Sequence, residues 1–300
     1  FSSALTSDQV SQLYNEKPET DTSNFKAVLY EGDSNTSGNY ISNVGFQPDL
    51  TWIKHRNANV RHLLTDSVNG ASVYQGTGVT LHSNETFTST TYGEFTSFDA
   101  NGFTVRYWSG SQYFNTTGRS YVAWNWKGGG DAVSNTDGGI PSSVSANTAA
   151  GFSIVKYTAT GSTATVGHGL SSKPQLIIAK TTNQSYNWVV YAEPITAEKY
   201  LILNSTSAQV DNTAFMNDTE PTSSVFTAGA GNNLNYANGD IIIAYCWHSV
   251  AGYSKIGAYP GNSSTNKITL DFAPSWVMIK LYDVAGGNWF IYDNKRNPSN

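Results

Sequence analysis

The chain has 300 residues, of which 39% are hydrophobic and only 13% are charged, and its formal net charge at pH 7 is −5. This length accommodates two or three domains with sizeable cores. The negative charge and the lack of a basic stripe argue against a nucleic-acid partner, and no apolar run reaches the length of a membrane-spanning helix. Cys246 is the single cysteine, so the sequence allows no intrachain disulfide, and its apolar neighbours predict a buried, unreactive thiol.

Residues 1–18 are predicted to end in a short helix. Thr6 can cap this helix, Gln9 lies three residues later as in a capping box, and Pro18 ends the element. The run FSSALTSDQVSQLYN at residues 1–15 resembles the last strand and short helix of concanavalin A-like (LamG-type) domains. The resemblance implies that residues 1–18 are the C-terminal end of such a domain.

Residues 19–127, called module 1, are predicted to be β-rich, because β-branched and aromatic runs alternate with Gly, Asn, Asp and Ser. The predicted strands are Phe25–Tyr30, Leu50–Lys54, His62–Asp66, Phe103–Tyr107 and Tyr121–Lys127. In the last of these, Val122, Trp124 and Trp126 share one face, which predicts that the tryptophans are buried. Asn125 and Lys127 are expected at an edge or an interface.

Residues 128–150 are predicted to be a linker. They start with three glycines and are rich in Gly, Ser, Asn, Thr and Ala, a composition that can supply little hydrophobic core. The segment is also longer than the usual connection inside a domain. It is therefore expected to run over the surface between two modules.

Residues 151–250 (module 2) and 251–300 (module 3) repeat the pattern of module 1. Each module opens with a predicted strand, at Phe25–Tyr30, Gly151–Tyr157 and Gly252–Tyr259. In each, a lysine lies six residues after a proline, giving Lys54, Lys180 and Lys280. The Trp-rich strand of module 1 corresponds to Ile241–His248 in module 2, and Asp66 corresponds to Ala192 and Asp293. Module 3 is expected to hold only the first half of the pattern. This self-similarity predicts homologous modules.

Four stretches of the sequence resemble a known class of protein. They are YVAWNWKGGG (121–130), VSNTDGGI (133–140), SVSANTAAGFSIV (143–155) and VGHGLSSKP (166–174). They are similar to tandem β-rich segments in tail fibres and other virion proteins of marine tailed phages, including cyanophages. The resemblance implies a place in the virion, a structural or host-attachment role, a homotrimer, and contacts with other virion proteins and with a host-surface glycan or protein.

The sequence as a whole predicts an all-β chain of tandem β-sandwich or jelly-roll-like modules in an elongated array. Loop aromatics are the candidates for surface recognition, because Tyr and Trp give a large contact area at low entropic cost; they are Tyr107, Trp108, Tyr113 and Phe114. The lysines Lys54, Lys180 and Lys280 could line a ligand path, but their position at strand ends favours exposure to solvent.

No motif predicts catalysis, a cofactor or a metal. The five histidines are scattered without metal-ligand spacing, and Asp99, Asp131 and Asp137 lie in loops that do not match a calcium-binding pattern. A carboxylate pair for glycosidic cleavage stays open, because its members can be distant in the chain. The preferred hypothesis is therefore a non-enzymatic virion protein; the alternatives are a carbohydrate-binding module of a secreted or cell-surface adhesin, and a glycan depolymerase.

Overall fold

The computed structural model describes residues 23–71, 79–90, 94–110, 113–231 and 233–296. The predicted helix and concanavalin A-like end at residues 1–18 lie outside this part of the chain. The described residues form twenty β-strands and one three-residue 3₁₀ helix, Glu193–Ile195. The predicted all-β fold is thus confirmed, and none of the described segments is a helix long and apolar enough to cross a membrane.

The described part of module 1 forms eight strands in two antiparallel sheets, and every strand predicted for this module is present. The strands are β1 (Phe25–Glu31), β2 (Asn39–Ile41), β3 (Leu50–His55), β4 (Leu63–Asp66), β5 (Leu81–His82), β6 (Phe95–Asp99), β7 (Gly102–Val105) and β8 (Ser120–Trp126). The larger sheet has the order β1-β8-β3-β4-β5, and the smaller has the order β2-β7-β6.

The sheet of module 2 repeats this topology. Its strands, with two that precede it, are β9 (Val133–Asn135), β10 (Ser142–Asn147), β11 (Phe152–Thr158), β12 (Ala164–Gly167), β13 (Leu176–Thr181), β14 (Val189–Ala192), β15 (Lys199–Ile202), β16 (Val210–Asp211), β17 (Val225–Ala228) and β18 (Ile241–Trp247). The larger sheet has the order β16-β15-β14-β13-β18-β11-β10-β9, and β12 pairs with β17. The order β1-β8-β3-β4-β5 therefore recurs as β11-β18-β13-β14-β15.

The prediction of a linker at residues 128–150 is wrong, because this segment contributes β9 and β10 to the sheet of module 2. Val144 on β10 is buried, and the Asp49 carboxylate of module 1 accepts the Gly128 N–H at 2.7 Å. The glycines permit close packing here. A Cβ on Gly129 would collide with the backbone of Ala146, so their role is close approach rather than flexibility.

The described part of module 3, residues 251–296, contributes two strands, β19 (Trp276–Lys280) and β20 (Trp289–Asp293), which form a two-stranded sheet. The predicted strand Gly252–Tyr259 is not formed. In modules 1 and 2 the opening strand pairs along its length with the Trp-rich strand, as β1 with β8 and β11 with β18. Within the described part of module 3 no such strand is present, and the pairing of residues 252–259 is limited to an isolated bridge between Ser254 and Val250.

Each larger sheet is buried on both faces. One face packs against the smaller sheet of the same module, around Phe95 and Phe103 in module 1 and around Phe226 in module 2. The opposite faces meet in a shared core that contains Trp124 and Trp188, and residues of β19 and β20 pack against it. The arrangement places the three modules side by side and replaces the expected elongated array.

Hydrogen bonds between the modules follow one cyclic order. Tyr245 of module 2 donates from Oη to Asp66 Oδ2 of module 1 at 2.8 Å. Trp124, at the corresponding position of module 1, donates from Nε1 to Asp293 Oδ2 of module 3 at 3.0 Å. The predicted correspondence of Asp66, Ala192 and Asp293 is confirmed, since each pairs with the first residue of β3, β13 or β19.

A second set of bonds continues the same order. The Trp188 indole N–H of module 2 donates to the His82 carbonyl of module 1 at 2.7 Å. The Trp289 indole N–H of module 3 donates to the Ile202 carbonyl of module 2 at 3.0 Å. His82 and Ile202 occupy matching positions, because each pairs with the first residue of β4 or β14. Module 3 thus contacts module 2, module 2 contacts module 1, and module 1 contacts module 3.

Two expectations about polar residues are corrected by this packing. Asn125 does not lie at an edge: β8 is a central strand, and Asn125 is buried, accepting from Thr51 Oγ1 at 3.1 Å and donating to the Lys26 carbonyl at 3.0 Å. Lys180 does not lie in solvent but is fully buried. By contrast, the predictions that Cys246 and both tryptophans of β8 are buried are confirmed.

Candidate functional site: a cationic cleft between modules 1 and 3

The four aromatic candidates are placed differently by the structure. Phe114 is fully buried in the core of module 1, so the prediction that it lies on the surface is wrong. Trp108 is 37% exposed, and Tyr107 is half-buried. Tyr113 lines a small cleft of about 200 Å³ together with Ser109 and Gly110. Of the four candidates, Tyr113 therefore lines this cleft.

Next to this small cleft lies a larger one of about 590 Å³, between module 1 and the end of module 3. It is lined by the end of β3 and the following loop, residues 54–59, and by Arg296. Three cationic side chains, Lys54, Arg56 and Arg296, line it, and His55 lines both clefts. We call the two together the cationic cleft.

The loop after β3 is held in place by its neighbour in module 1. Asn57 donates from Nδ2 to the Gly118 carbonyl at 2.9 Å and accepts the Ser120 N–H at 3.1 Å. The Arg56 N–H donates to the Ser120 carbonyl at 2.8 Å. These bonds fix the backbone and leave the Arg56 side chain exposed.

Arg296 is held from the side of module 3. Its Nε donates to Asp293 Oδ2 at 2.6 Å, its guanidinium also donates to the Ile291 carbonyl at 2.6 Å, and it lies 5.1 Å from the centre of the Trp124 ring. Asp293 is the same carboxylate that accepts the Trp124 indole N–H. The contact between modules 1 and 3 therefore also sets the position of one wall of the cleft.

The Lys54 ammonium, like the Arg56 guanidinium of the same cleft, makes no side-chain hydrogen bond among the described residues. Burial, and then repulsion from Arg296, lower the pKa of the Lys54 ammonium. The corresponding lysines are occupied: Lys180 donates to the carbonyls of Thr86, Gln184 and Tyr186, and Lys280 donates to the Gly287 carbonyl. An anion near Lys54 would relieve the repulsion and satisfy the ammonium.

His55 joins the two clefts. Its Nε2 lies 2.8 Å from the Tyr113 carbonyl, so Nε2 carries the proton and donates, while the buried Nδ1 lone pair has no partner in the described structure. Burial, with help from Lys54 and Arg119, lowers the pKa of the imidazole despite the bond to Tyr113. His55 is therefore neutral at pH 7 and adds no charge to the site.

Arginine is concentrated at this site. The sequence has five arginines, and Arg56, Arg119 and Arg296 line the two clefts. Arg61 donates to the Tyr113 hydroxyl at 3.1 Å and lies 4.7 Å from the centre of the Phe87 ring. Four of the five arginines thus meet in one region of a chain with a net charge of −5.

This arrangement suits the binding of an anionic group. Arginine presents paired N–H donors that match the geometry of carboxylate, sulfate and phosphate. No aspartate or glutamate lines either cleft, and the described residues contain no cluster of three or more His, Cys, Asp or Glu residues able to hold a metal. The lining residues can therefore bind and orient an anion.

Sequence reasoning missed this site because its residues come from separate loops. The basic side chains lie near residues 54–61, at 119 and at 296, so no basic run marks the cleft. A signal was present in the identity of the cations, since Arg56, Arg61 and Arg119 all lie within two residues of predicted strands of module 1. Their convergence depends on the contact between modules 1 and 3, which the linear sequence does not reveal.

Comparison with known proteins gives a family but no function. No curated protein and no solved structure matches the chain. One family model, described as a domain of unknown function (DUF7483), matches residues 20–300. This match spans all three modules, and the chain therefore belongs to the DUF7483 family.

Proposed function

We propose that the protein is a non-enzymatic component of a virion surface, in a tail fibre or related structure, that attaches to a host through anionic groups of a surface polymer. The observation that supports this function best is the cationic cleft, where Lys54, Arg56 and Arg296 line a concave surface of an otherwise acidic chain. The resemblance of the four stretches between residues 121 and 174 to phage fibre segments supplies the biological setting.

The proposed ligand is a carboxylated or sulfated glycan. A cleft of about 590 Å³ has the size of small-ligand sites, so one or two sugar units with their charged groups fit. Arg56 and the Lys54 ammonium supply charge-assisted donors. Asn57 and Asn59 on the same loop supply donors and acceptors for sugar hydroxyls.

Binding to a charged and an uncharged polymer of the same backbone tests the proposal. We expect the protein to bind immobilised dextran sulfate saturably at about 0.15 M salt and not to bind neutral dextran. The double variant Lys54→Met, Arg56→Ala should bind about tenfold more weakly. Both side chains line the cleft, and neither makes a side-chain hydrogen bond among the described contacts. The double variant is therefore expected to fold.

The matched control removes the same charge elsewhere. Lys255 and Lys267 are exposed and lie outside the strands, so Lys255→Ala with Lys267→Ala should leave binding within about twofold. Equal loss in both double variants would show attraction by net charge alone and would overturn the role of the cleft. Release of sugar fragments from a charged glycan would contradict the proposal that the protein is not an enzyme and would support a glycan depolymerase.

Location distinguishes the virion protein from a carbohydrate-binding module of a secreted or cell-surface adhesin. Antibodies to this chain should label purified phage particles in electron microscopy, at tail or fibre tips if the chain attaches to the host. Label along a shaft or over the head would support the structural role and remove the attachment role. Absence of label from all particles would leave the adhesin as the surviving function.

A further inference from the structure

The sheet of module 3 has an edge that is paired in the other two modules. Strand β3 pairs with β4 on one side and β8 on the other, and β13 pairs with β14 and β18. Among the strands that the structure describes, the corresponding strand β19 pairs only with β20. An unpaired edge presents a row of backbone N–H and C=O groups that can receive another strand.

The side chains around this edge are more exposed to solvent than their counterparts in the other two modules. Every residue of β19 is partly exposed, whereas nearly all of β3 and β13 is buried. On β20, Phe290 is 48% and Tyr292 is 47% exposed. Their counterparts by register in module 2, Val189 and Tyr191, lie in the core of that module.

The two complete modules define what fills this position. Strand β8 pairs antiparallel with β3, with Trp126 opposite Leu50, Trp124 opposite Trp52 and Val122 opposite Lys54. Strand β18 crosses β13 with Trp247, Tyr245 and Ile243 at the same three places. Both carry the pattern Ala–aromatic–x–Trp, and no other stretch of the 300 residues has it. Both are already paired on two sides.

We propose that the edge of β19 is a binding site for one strand of the pattern Ala–aromatic–x–Trp, supplied by polypeptide outside residues 1–300. The incoming strand runs antiparallel to β19, with its Trp opposite Trp276 and its aromatic residue opposite Met278. Its inner face joins the shared core of the three modules. This interaction is independent of the cationic cleft and of the function proposed for it.

The cyclic order of contacts also sets the identity of the aromatic residue. In modules 1 and 2 this position holds Trp124 and Tyr245, and each donates to an aspartate of the next module, Asp293 and Asp66. The strand on β19 would face module 2, where the corresponding residue is Ala192. Alanine offers no side-chain acceptor, so a residue without a donor, such as Phe, fits best at this place.

Synthetic peptides test both parts. A peptide of residues 120–127 carrying Trp124→Phe should bind the protein with 1:1 stoichiometry and slow amide hydrogen exchange at residues 276–280. The unmodified peptide should bind about tenfold more weakly, because its indole N–H would be buried without an acceptor. The Ala192→Asp protein should reverse this preference. A peptide with Ala123→Pro, which cannot extend the sheet, is the non-binding control.

Three results would overturn the proposal. One is the absence of binding by any peptide to a protein whose circular dichroism shows it to be folded. Another is protection at residues 25–31 in place of 276–280, which would mean exchange with β8. The third is a peptide-independent dimer in sedimentation with residues 276–280 protected, which would assign this edge to a second copy of the chain.

Discussion

Lys180 shows how one residue type changes its role with its surroundings. Three lysines hold the same place in the repeat, yet Lys54 lines an open cleft while Lys180 is fully buried with its ammonium between three carbonyl groups. One of those carbonyls belongs to Thr86 of module 1. The sequence predicts the spacing but not the burial, because the covering group comes from another module.

The buried ammonium predicts an unusual pH dependence. Burial lowers the pKa of Lys180 to about 8, against about 10.4 in an unfolded chain. Between these values the unfolded state binds more protons, so the free energy of unfolding contributed by Lys180 rises with pH, by at most about 1.4 kcal/mol per pH unit. This gain in the free energy of unfolding is lost as the pH falls back towards 8 and the buried amine is protonated.

Urea denaturation at pH 7.5, 8.5 and 9.5 measures this effect. We expect the free energy of unfolding to rise less steeply with pH in Lys180→Met than in the wild type, because the contribution of Lys180 is gone. Some rise remains in the variant, because the pKa values of Lys54 and Lys280 are also lowered. Lys255→Met, which removes an exposed lysine, should keep the wild-type slope. Equal slopes in Lys180→Met and the wild type would contradict the assignment.

Strands β9 and β10 show the limit of composition as a guide at the level of elements. The strands rich in Val, Ile, Trp and Tyr were predictable because their side chains form the cores. Residues 128–150 have few such side chains, and their order comes instead from backbone pairing with β11 and from Ser145. Ser145 Oγ accepts the Gly129 N–H at 2.9 Å and donates to the Gly130 carbonyl at 2.7 Å.

Replacing Ser145 with Ala should therefore loosen this segment. The Gly129 N–H would lose its acceptor, at a cost of about 1–3 kcal/mol, and amide hydrogen exchange over residues 133–147 should become about tenfold faster or more. Ser143 lies on the same strand and is exposed, so Ser143→Ala should leave the exchange rates unchanged. A similar response to both substitutions would show that Ser145 has no special role.

At the scale of the whole molecule, a cyclic set of contacts joins the modules. The register within each module could be predicted from the repeat, including the match of Asp66 with Ala192 and Asp293. The packing of the modules against one another could not be predicted. The residues that form these contacts are apolar or aromatic, and the sequence does not distinguish those that face the core of their own module from those that face another module. Their positions became clear only from bonds such as that between Tyr245 and Asp66.

The shared core predicts that modules 1 and 2 unfold together. Tyr245→Phe removes the donor to Asp66, whose carboxyl is buried and has its pKa raised by burial. We expect a loss of about 1–3 kcal/mol with hydrogen exchange in both modules accelerated by the same factor. Tyr292→Phe, at an exposed hydroxyl-bearing residue of β20, is the control. Acceleration confined to module 2 would contradict a shared cooperative unit.

The three lysines also determine the valence of the molecule. At two of the three equivalent positions the ammonium is bonded to carbonyl groups, and only the position beside Arg296 is open. A ring of three identical subunits would present three equivalent open sites. In this chain the three modules present one open site among the three lysine positions. If that position is the receptor site, a single chain binds monovalently, and firm attachment depends on how many chains the particle displays within reach of one host surface.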